Sequence, residues 1–274
     1  MIISASRRTD IPCYHTSWFL NRLRAGYCLV KNPFNGKFSR VSLLPDDVDA
    51  LFFWTRDASS ILPHIKYLKD LGLNPFFLYT ITGYPGYLEP GSPSVHSSIR
   101  IVKSISEILG PERIAWRYDP VILAENTGPE FHKKNFRFIS GNLQGHVSRC
   151  IISFLDIYRK NKTSAEKLGL SGKEDFLKSS SLLRFFKNEC LSTGITPGLC
   201  CETDFSETGI KRSPCIDTSS AGIKAPKDTG QRPECLCGKS RDIGAYDTCP
   251  RGCVFCYASG NKKIRPSDPK SEYL

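Results

Sequence analysis

Ile2-Ile3-Ser4-Ala5-Ser6, followed at once by Arg7-Arg8-Thr9-Asp10, is the stretch on which the fold turns. A short apolar run predicts a buried strand, and the charged run behind it predicts a polar strand end. A helix is expected next, over residues 17–25, with Phe19, Leu20 and Leu23 on one face. Strand, polar tip, then helix is the unit of a parallel sheet, because parallel strands need long crossover connections.

The same unit recurs along the first two-thirds of the chain. Further strands are expected over 27–31, 50–54, 75–81, 114–117, 150–154 and 199–202. Between them, Ile61, Ile65 and Leu68 lie at helical spacing, as do Val95, Ile99, Val102 and Leu109 before Gly110-Pro111. Two more helices are expected over 130–143 and 174–188. Seven such units predict an α/β fold: a complete or partial parallel (β/α) barrel over residues 1–202. An open doubly wound sheet is the alternative, but no Gly-x-Gly-x-x-Gly follows the first strand. In strand 114–117, side-chain alternation puts Ile114 and Trp116 towards the helices and Ala115 and Arg117 inward. Pro120 lacks an amide donor and is expected to stop that strand.

Chemistry in parallel barrels gathers at the C-terminal ends of the strands. Six of the expected strands end in polar or aromatic residues: Arg7, Arg8 and Asp10; Asn32; Trp54; Thr80; Arg117 and Asp119; and Asp156. Together they predict a shared pocket. Arg7, Arg8, Asp10, Arg117 and Asp119 are the candidate catalytic set, and Asn32, Trp54, Thr80 and Asp156 the candidate cofactor contacts. A guanidinium holds a carboxylate or phosphate through two parallel hydrogen bonds, so an anionic substrate is expected. Asp10 and Asp119 would fix the arginines or bind a ribose or an amine. For each Arg–Asp neighbour a structural ion pair is the competing reading.

The 274 residues suffice for a substantial core, and 40% hydrophobic with 24% charged residues is ordinary for a globular protein. No apolar run is long enough to cross a bilayer. The charges near the N-terminus follow the apolar run, whereas in a secretory signal they precede it, so a cytoplasmic protein is expected. The net charge of +11 admits a nucleic-acid partner. Its lysines and arginines are spread along the chain, however, as on a solvated surface.

Twelve cysteines in a reducing compartment argue against a disulfide framework. Nine fall between Cys190 and Cys256, and this crowding points to metal. Residues 203–260 form a cysteine-rich segment expected to pack on the barrel mouth. Residues 203–248 lack hydrophobic periodicity and need another source of order, which metal ligation supplies. Cys200, Cys215, Cys235 and Cys237 are the expected ligands of a second iron–sulfur cluster or a zinc ion, with Cys201 as the incidental neighbour. Residues 261–274 read as a polar tail, mobile at its end.

Cys190 lies in a helical stretch and reads as buried, and the other three of the nine stand in Cys249-Pro250-Arg251-Gly252-Cys253-Val254-Phe255-Cys256. Three cysteines with three and then two residues between them resemble the cluster motif of radical S-adenosylmethionine (SAM) enzymes, including the aromatic Phe255 before the last cysteine. A structural zinc knuckle is the competing reading. The resemblance implies a [4Fe–4S] cluster on Cys249, Cys253 and Cys256, SAM on its open iron, and an electron donor such as a flavodoxin or ferredoxin. The motif departs from that class in position, since it usually follows the first barrel strand.

A second resemblance covers nearly the whole chain. The opening through Pro12, Asn32-Pro33-Phe34-Asn35, Phe53-Trp54-Thr55, Trp116 to Pro120, Ile152 to Lys160, and Gln231 through Pro250 resemble the bacterial and archaeal family 1848 of domains of unknown function. Arg56-Asp57 stands where that pattern has Lys-Asn. The function expected is a radical SAM-like iron–sulfur enzyme that cleaves SAM reductively. The alternative is a zinc-stabilised nucleic-acid-binding protein without catalytic activity.

Overall fold

Alternating side chains give each strand two faces, and in this chain both faces are covered. The computed structural model describes residues 1–171, 180–203, 205–259, 264 and 267–274. Its elements run β1 (Ile2–Ala5), α1 (Ile11–Tyr14), α2 (Thr16–Ala25), β2 (Tyr27–Lys31), β3 (Phe38–Ser42), β4 (Ala50–Thr55), α3 (Ile65–Asp70) and β5 (Pro75–Thr80). There follow α4 (Val95–Leu109), β6 (Ile114–Val121), α5 (Pro129–Leu143), β7 (Arg149–Phe154), α6 (Lys162–Lys167), α7 (Ser180–Ser192), β8 (Thr196–Leu199) and β9 (Arg241–Asp242).

Seven strands form one parallel sheet in the order β9-β1-β4-β5-β6-β7-β8. From β1 to β8 each new strand is added on the same side. Right-handed crossovers then place the crossover helices on one face. Accordingly one core joins Ile3, Leu51, Phe53, Phe77, Trp116 and Ile152 to apolar residues of α2, α3, α4, α5 and α7. The helices begin and end on local signals. Ser94 caps α4 by accepting from the Ser97 amide at 3.2 Å, and α2 stops at Gly26, whose φ of 75° suits glycine.

The other face carries Ile2, Ala50, Phe52, Phe76, Leu78, Ala115 and Ile151. Phe52 and Phe76 stack with ring centroids 4.8 Å apart. Among the described residues no helix covers this face. Cys201, together with Cys215, Ile216, Cys235 and Cys237 of the cysteine-rich segment, does so instead. Ala115 belongs to this inner face, while Ile114 and Trp116 belong to the helix face, as alternation requires.

Several expectations are corrected. The sheet does not close into a complete barrel among the described residues, since β8 and β9 are its two edges. The expected second strand forms, but as β2 of a separate antiparallel hairpin with β3; a period-two pattern does not say which sheet a strand joins. The strand at Pro120 continues to Val121 across a register irregularity after Tyr118, which accommodates the missing donor. The last crossover strand lies at Thr196–Leu199, not 199–202, because Pro197 and Gly198 obscure it. Of the helix expected over 174–188, residues 174–179 lie outside the described residues. Nor is the end of the tail loose. The Trp18 indole donates to the Ser271 carbonyl at 3.0 Å, the Leu29 amide donates to Glu272 O at 2.8 Å, and Tyr273 packs on Phe38. Among the described residues no helix is long and apolar enough to cross a membrane.

His132 on α5 is fully buried. Its Nδ1 accepts from the Tyr118 hydroxyl at 2.8 Å, and Nε2–H donates to the Ile122 carbonyl at 2.9 Å. Desolvation lowers its pKa from 6.5 to about 4. The folded imidazole therefore stays neutral where the unfolded one takes up a proton. Stability is complete above the unfolded pKa and declines as pH falls, by about 3 kcal/mol on reaching pH 4. Urea midpoints across this range, compared with His132→Gln, isolate the contribution from that of carboxylates. Parallel pH profiles in the two proteins would show that His132 titrates normally.

Candidate functional site

The mouth of the sheet is assembled by its shortest strand. β9 has two residues, and Ile3 and Ser4 of β1 pair with Arg241 and Asp242. The Asp242 carboxylate secures this edge. It accepts from Ser4 Oγ, Ser6 Oγ and the Arg7 amide, each at 2.8 Å, from Arg8 Nε at 3.0 Å, and from the Gly244 amide at 3.1 Å. Gly244 has no room for a side chain, since a Cβ there would lie 2.1 Å from Ser6 Oγ. Glycine thus lets the backbone turn against β1 and cross the strand ends.

Residues 249–256 lie across those ends. Arg251, in the middle of the loop, is buried and pairs with Asp10 at 2.8 Å. Asp10 also accepts from Thr55 Oγ1 at 2.7 Å, the Arg56 amide at 3.0 Å and the Cys13 amide at 3.2 Å. A buried charge is tolerated when paired and hydrogen-bonded, and this one is. The Val254 amide donates to the Leu88 carbonyl at 3.1 Å. Asn161 Nδ2 donates to Phe255 O at 2.9 Å, and the Tyr257 hydroxyl to Arg7 O at 2.6 Å. Phe255 meets Tyr84 edge-on and lies under the Arg56 guanidinium. Cys249, Cys253 and Cys256 are free, half-buried thiols. Burial pushes Cys253 up to about 12 and raises Cys249. The Ala258 amide donates to Cys256 Sγ at 3.3 Å. Soft sulfur donors beside the cations Arg56 and Arg251 fit an iron–sulfur group.

The predicted pocket residues divide. Arg7 and Arg117 both stand over the Trp54 ring, with guanidinium carbons 5.1 and 4.8 Å from its centroid. Trp54 Nε1 donates to Ser4 Oγ at 3.1 Å. Arg117 pairs with Asp119 and donates to Thr80 Oγ1 at 3.2 Å, while its Nε is buried without a partner. Burial opposes the Arg117 charge, but Asp119 and the thiols of Cys215 and Cys200 outweigh it and raise the pKa. Arg8 is held by Asp242. Asp156 lies beyond the end of β7 and pairs with Arg232 of the cysteine-rich segment. Asn32 is not at the mouth. It sits in the β2–β3 hairpin turn, accepting from the Phe34 amide at 2.8 Å.

Sequence reasoning missed Arg251, Glu89 and the part played by Arg56. Arg56 Nη1 meets Glu89 at 2.5 Å and Thr82 Oγ1 at 2.9 Å, and Nη2 donates to Asp119 O at 3.2 Å. Arg56, Thr82 and Glu89 border a cleft of about 300 Å³ that also includes Thr80, Tyr84 and Ser98. Arg56 was visible at a strand end. Glu89 lies in a loop and gave no signal.

The second group of thiols lies deeper, against the inner face. Cys200 Sγ is 3.9 Å from Cys201 Sγ and 3.7 Å from Cys215 Sγ. Cys215 and Cys235 both meet Cys237, and Cys235 meets Cys201, so the five sulfurs form a closed circuit. Hydrogen bonds from Cys200 and Cys235 hold Cys201 down at about 3, and those from Cys215 and Cys235 lower Cys237. Donating to Cys201 correspondingly raises Cys200 and Cys235. Cys201 is therefore a member of the group and not an incidental neighbour. As the side chains stand, no three His, Cys, Asp or Glu groups among the described residues converge on one ion-sized point.

The family model described as Domain of unknown function (DUF1848) matches residues 2–258. No curated protein and no solved structure matches the chain.

Asp10→Asn keeps the shape of the side chain but strands the Arg251 charge. Breaking a buried pair in this way is expected to cost about 3–5 kcal/mol. Urea denaturation measures the loss, and limited proteolysis should cut residues 243–259 faster. Unchanged stability and digestion would mean that the pair does not hold the loop.

Proposed function

We propose, from the premise that this chain belongs to the DUF1848 family of unknown function, that it is a radical SAM-like iron–sulfur enzyme on a partial (β/α) barrel. One observation carries the reading. β9 is last in the sequence but lies at the sheet edge beside β1, and the three-cysteine loop follows it directly. In the radical SAM class the loop follows the first strand of the barrel. Here the edge strand nearest the C-terminus takes that topological place. The late position of the motif, the one departure in its resemblance, thereby finds a physical account.

Cys249, Cys253 and Cys256 would hold a [4Fe–4S] cluster, leaving one iron for SAM. The chemistry supplied there is a one-electron reduction that breaks a carbon–sulfur bond of the sulfonium. The electron comes from an outside donor of the flavodoxin or ferredoxin class. The chain's own residues bind, orient and exclude water. Phe255 against Tyr84 closes the loop on its apolar side. Arg117, with its free Nε beside Trp54, offers a donor to a carboxylate or another anionic group of SAM or substrate. Asp119 fixes the orientation of that guanidinium. Arg56, anchored by Glu89 and Thr82, forms the facing wall.

Cys253→Ala is the direct test. Iron per chain in anaerobically purified protein should fall to background while the melting temperature of the sheet changes little, because the loop follows all seven strands. Retention of the full iron content would remove the cluster from these cysteines.

Arg117→Lys probes the anion contact. Lysine keeps the charge but loses the planar fork. Calorimetric SAM affinity should weaken by about 2–3 kcal/mol, the upper range for a hydrogen bond to a charged group, at equal iron content. Wild-type affinity and activity in this variant would leave Arg117 as the ion-pair partner of Asp119 alone.

A further inference from the structure

The thiol circuit on the inner face poses a separate problem. Residues 203–240 contain no long helix or strand among those described, yet they pack against the apolar inner face of a seven-stranded sheet. Backbone hydrogen bonds fasten the segment only at scattered points. The Ser213 amide donates to Leu199 O at 2.9 Å, the Gly238 amide to Ile216 O at 3.0 Å, and the Lys239 amide to Pro226 O at 2.8 Å. The sulfurs lie where these strands of loop meet.

Their spacing distinguishes between ligands. A Zn–S bond of about 2.3 Å puts two thiolates of a tetrahedral site about 3.8 Å apart. The 3.7 Å between Cys200 and Cys215 matches that edge, and the 3.9 Å between Cys200 and Cys201 keeps the two thiols of the pair side by side. A cubane cluster has each thiolate on a different iron and spreads its ligands further. The backbone is shaped for convergence as well. Neighbouring residues of an extended chain point to opposite sides. Cys201 instead has φ of 58°, the left-handed region that non-glycine residues seldom occupy. This turn brings Cys200 and Cys201 to the same circuit. Cys235-Leu236-Cys237 contributes two sulfurs from one short chelating stretch.

The surroundings match an anionic metal–thiolate centre. Four thiolates and one Zn²⁺ carry a net charge of −2. Arg7, Arg117, Arg149 and Arg232 all lie within electrostatic reach of the sulfurs. Arg149 is fixed from the inner face of β7, where it donates to Pro214 O at 2.6 Å and Cys215 O at 2.9 Å. The Ile216 amide donates to Cys237 Sγ at 3.4 Å. Partners of this kind orient metal ligands and tune them.

We propose that the circuit is a structural zinc site: although no three of its sulfurs converge on one point as the side chains stand, binding draws Cys215, Cys235 and Cys237 onto one Zn²⁺, with the fourth position supplied by either member of the Cys200–Cys201 pair. It is a different site from the loop at residues 249–256 and does not depend on the iron–sulfur reading of that loop. Its function is to clamp the loop segment over the inner face and to hold Arg7 and Arg117 beneath the mouth. The five-for-four donor set lets one thiol of the pair replace the other.

The test measures zinc and iron together in the full chain, purified anaerobically. Wild-type protein should hold about one zinc per chain. Cys215→Ser and Cys237→Ser should lose it, and Cys253→Ala should keep it. Cys200→Ser and Cys201→Ser should each retain zinc, while the double variant loses it. Zinc unaffected by Cys215→Ser and Cys237→Ser, or iron lost in its place, overturns the proposal. Loss of zinc in either single variant of the pair overturns the shared position. Because some variants could fail to fold, wild-type protein is also titrated with a thiol-specific mercurial in the presence of a chromophoric chelator. Zinc release in step with thiol modification supports the site, and absence of zinc from the wild type rejects it. Failure of the iron–sulfur reading shows separately, as iron that does not follow Cys253.

Discussion

The Asp242 carboxylate is the constraint on which the site depends. A two-residue strand cannot hold a sheet edge through ladder hydrogen bonds alone. Asp242 adds two hydroxyls, two amides and a guanidinium from both sides of the β1 end. Charge-assisted bonds of this kind are roughly twice as strong as neutral ones. They tie residues more than 230 positions apart in sequence. Without that tie, the loop that follows β9 would have no fixed relation to the strand ends it crosses. With it, Arg251 reaches Asp10, and Phe255 reaches Tyr84.

The same geometry gives the inner face its character. Crossovers of one hand put all the packing helices on the opposite side. The concave side must then be covered by something else, and the last third of the chain does it without regular structure. An irregular cover exposes many backbone polar groups and buries little apolar area per residue, so it needs cross-links. The buried arginines and the thiols answer each other in this layer. Arg149, Arg117 and Arg7 bring positive charge beneath the mouth, and the sulfur circuit is the nearest concentration of groups able to become negative. Trp54 takes both the Arg7 and the Arg117 guanidinium against its ring at the top of this layer.

Much of this was legible in the sequence for a simple reason. Buried parallel strands are short apolar runs, and helices that pack on one face repeat every three to four residues. Thus β1, β4, β5, β6 and β7 could be read, and so could the inward orientation of Arg117. Strand ends collect polar residues because they open to solvent and ligand, which made Arg7, Asp10, Arg117 and Asp119 visible together. Sheet membership was not legible. β2 has the pattern of a strand, but it pairs locally with β3 and carries Asn32 away from the mouth. β9 is too short for any pattern and owes its existence to its partner.

The sequence by itself determined the α/β class, the strand–helix alternation, the motif spacing at Cys249, Cys253 and Cys256, and the family, because each depends on residues close together in the chain. Tertiary structure alone decided that the last strand lies beside the first, that Arg56 joins Glu89 across the mouth, and that Cys201 belongs with four other sulfurs. Those facts depend on contacts between distant segments. Local periodicity carries no information about such contacts, and they are fixed only when the sheet order, the buried charges and the turn at Cys201 are satisfied at once.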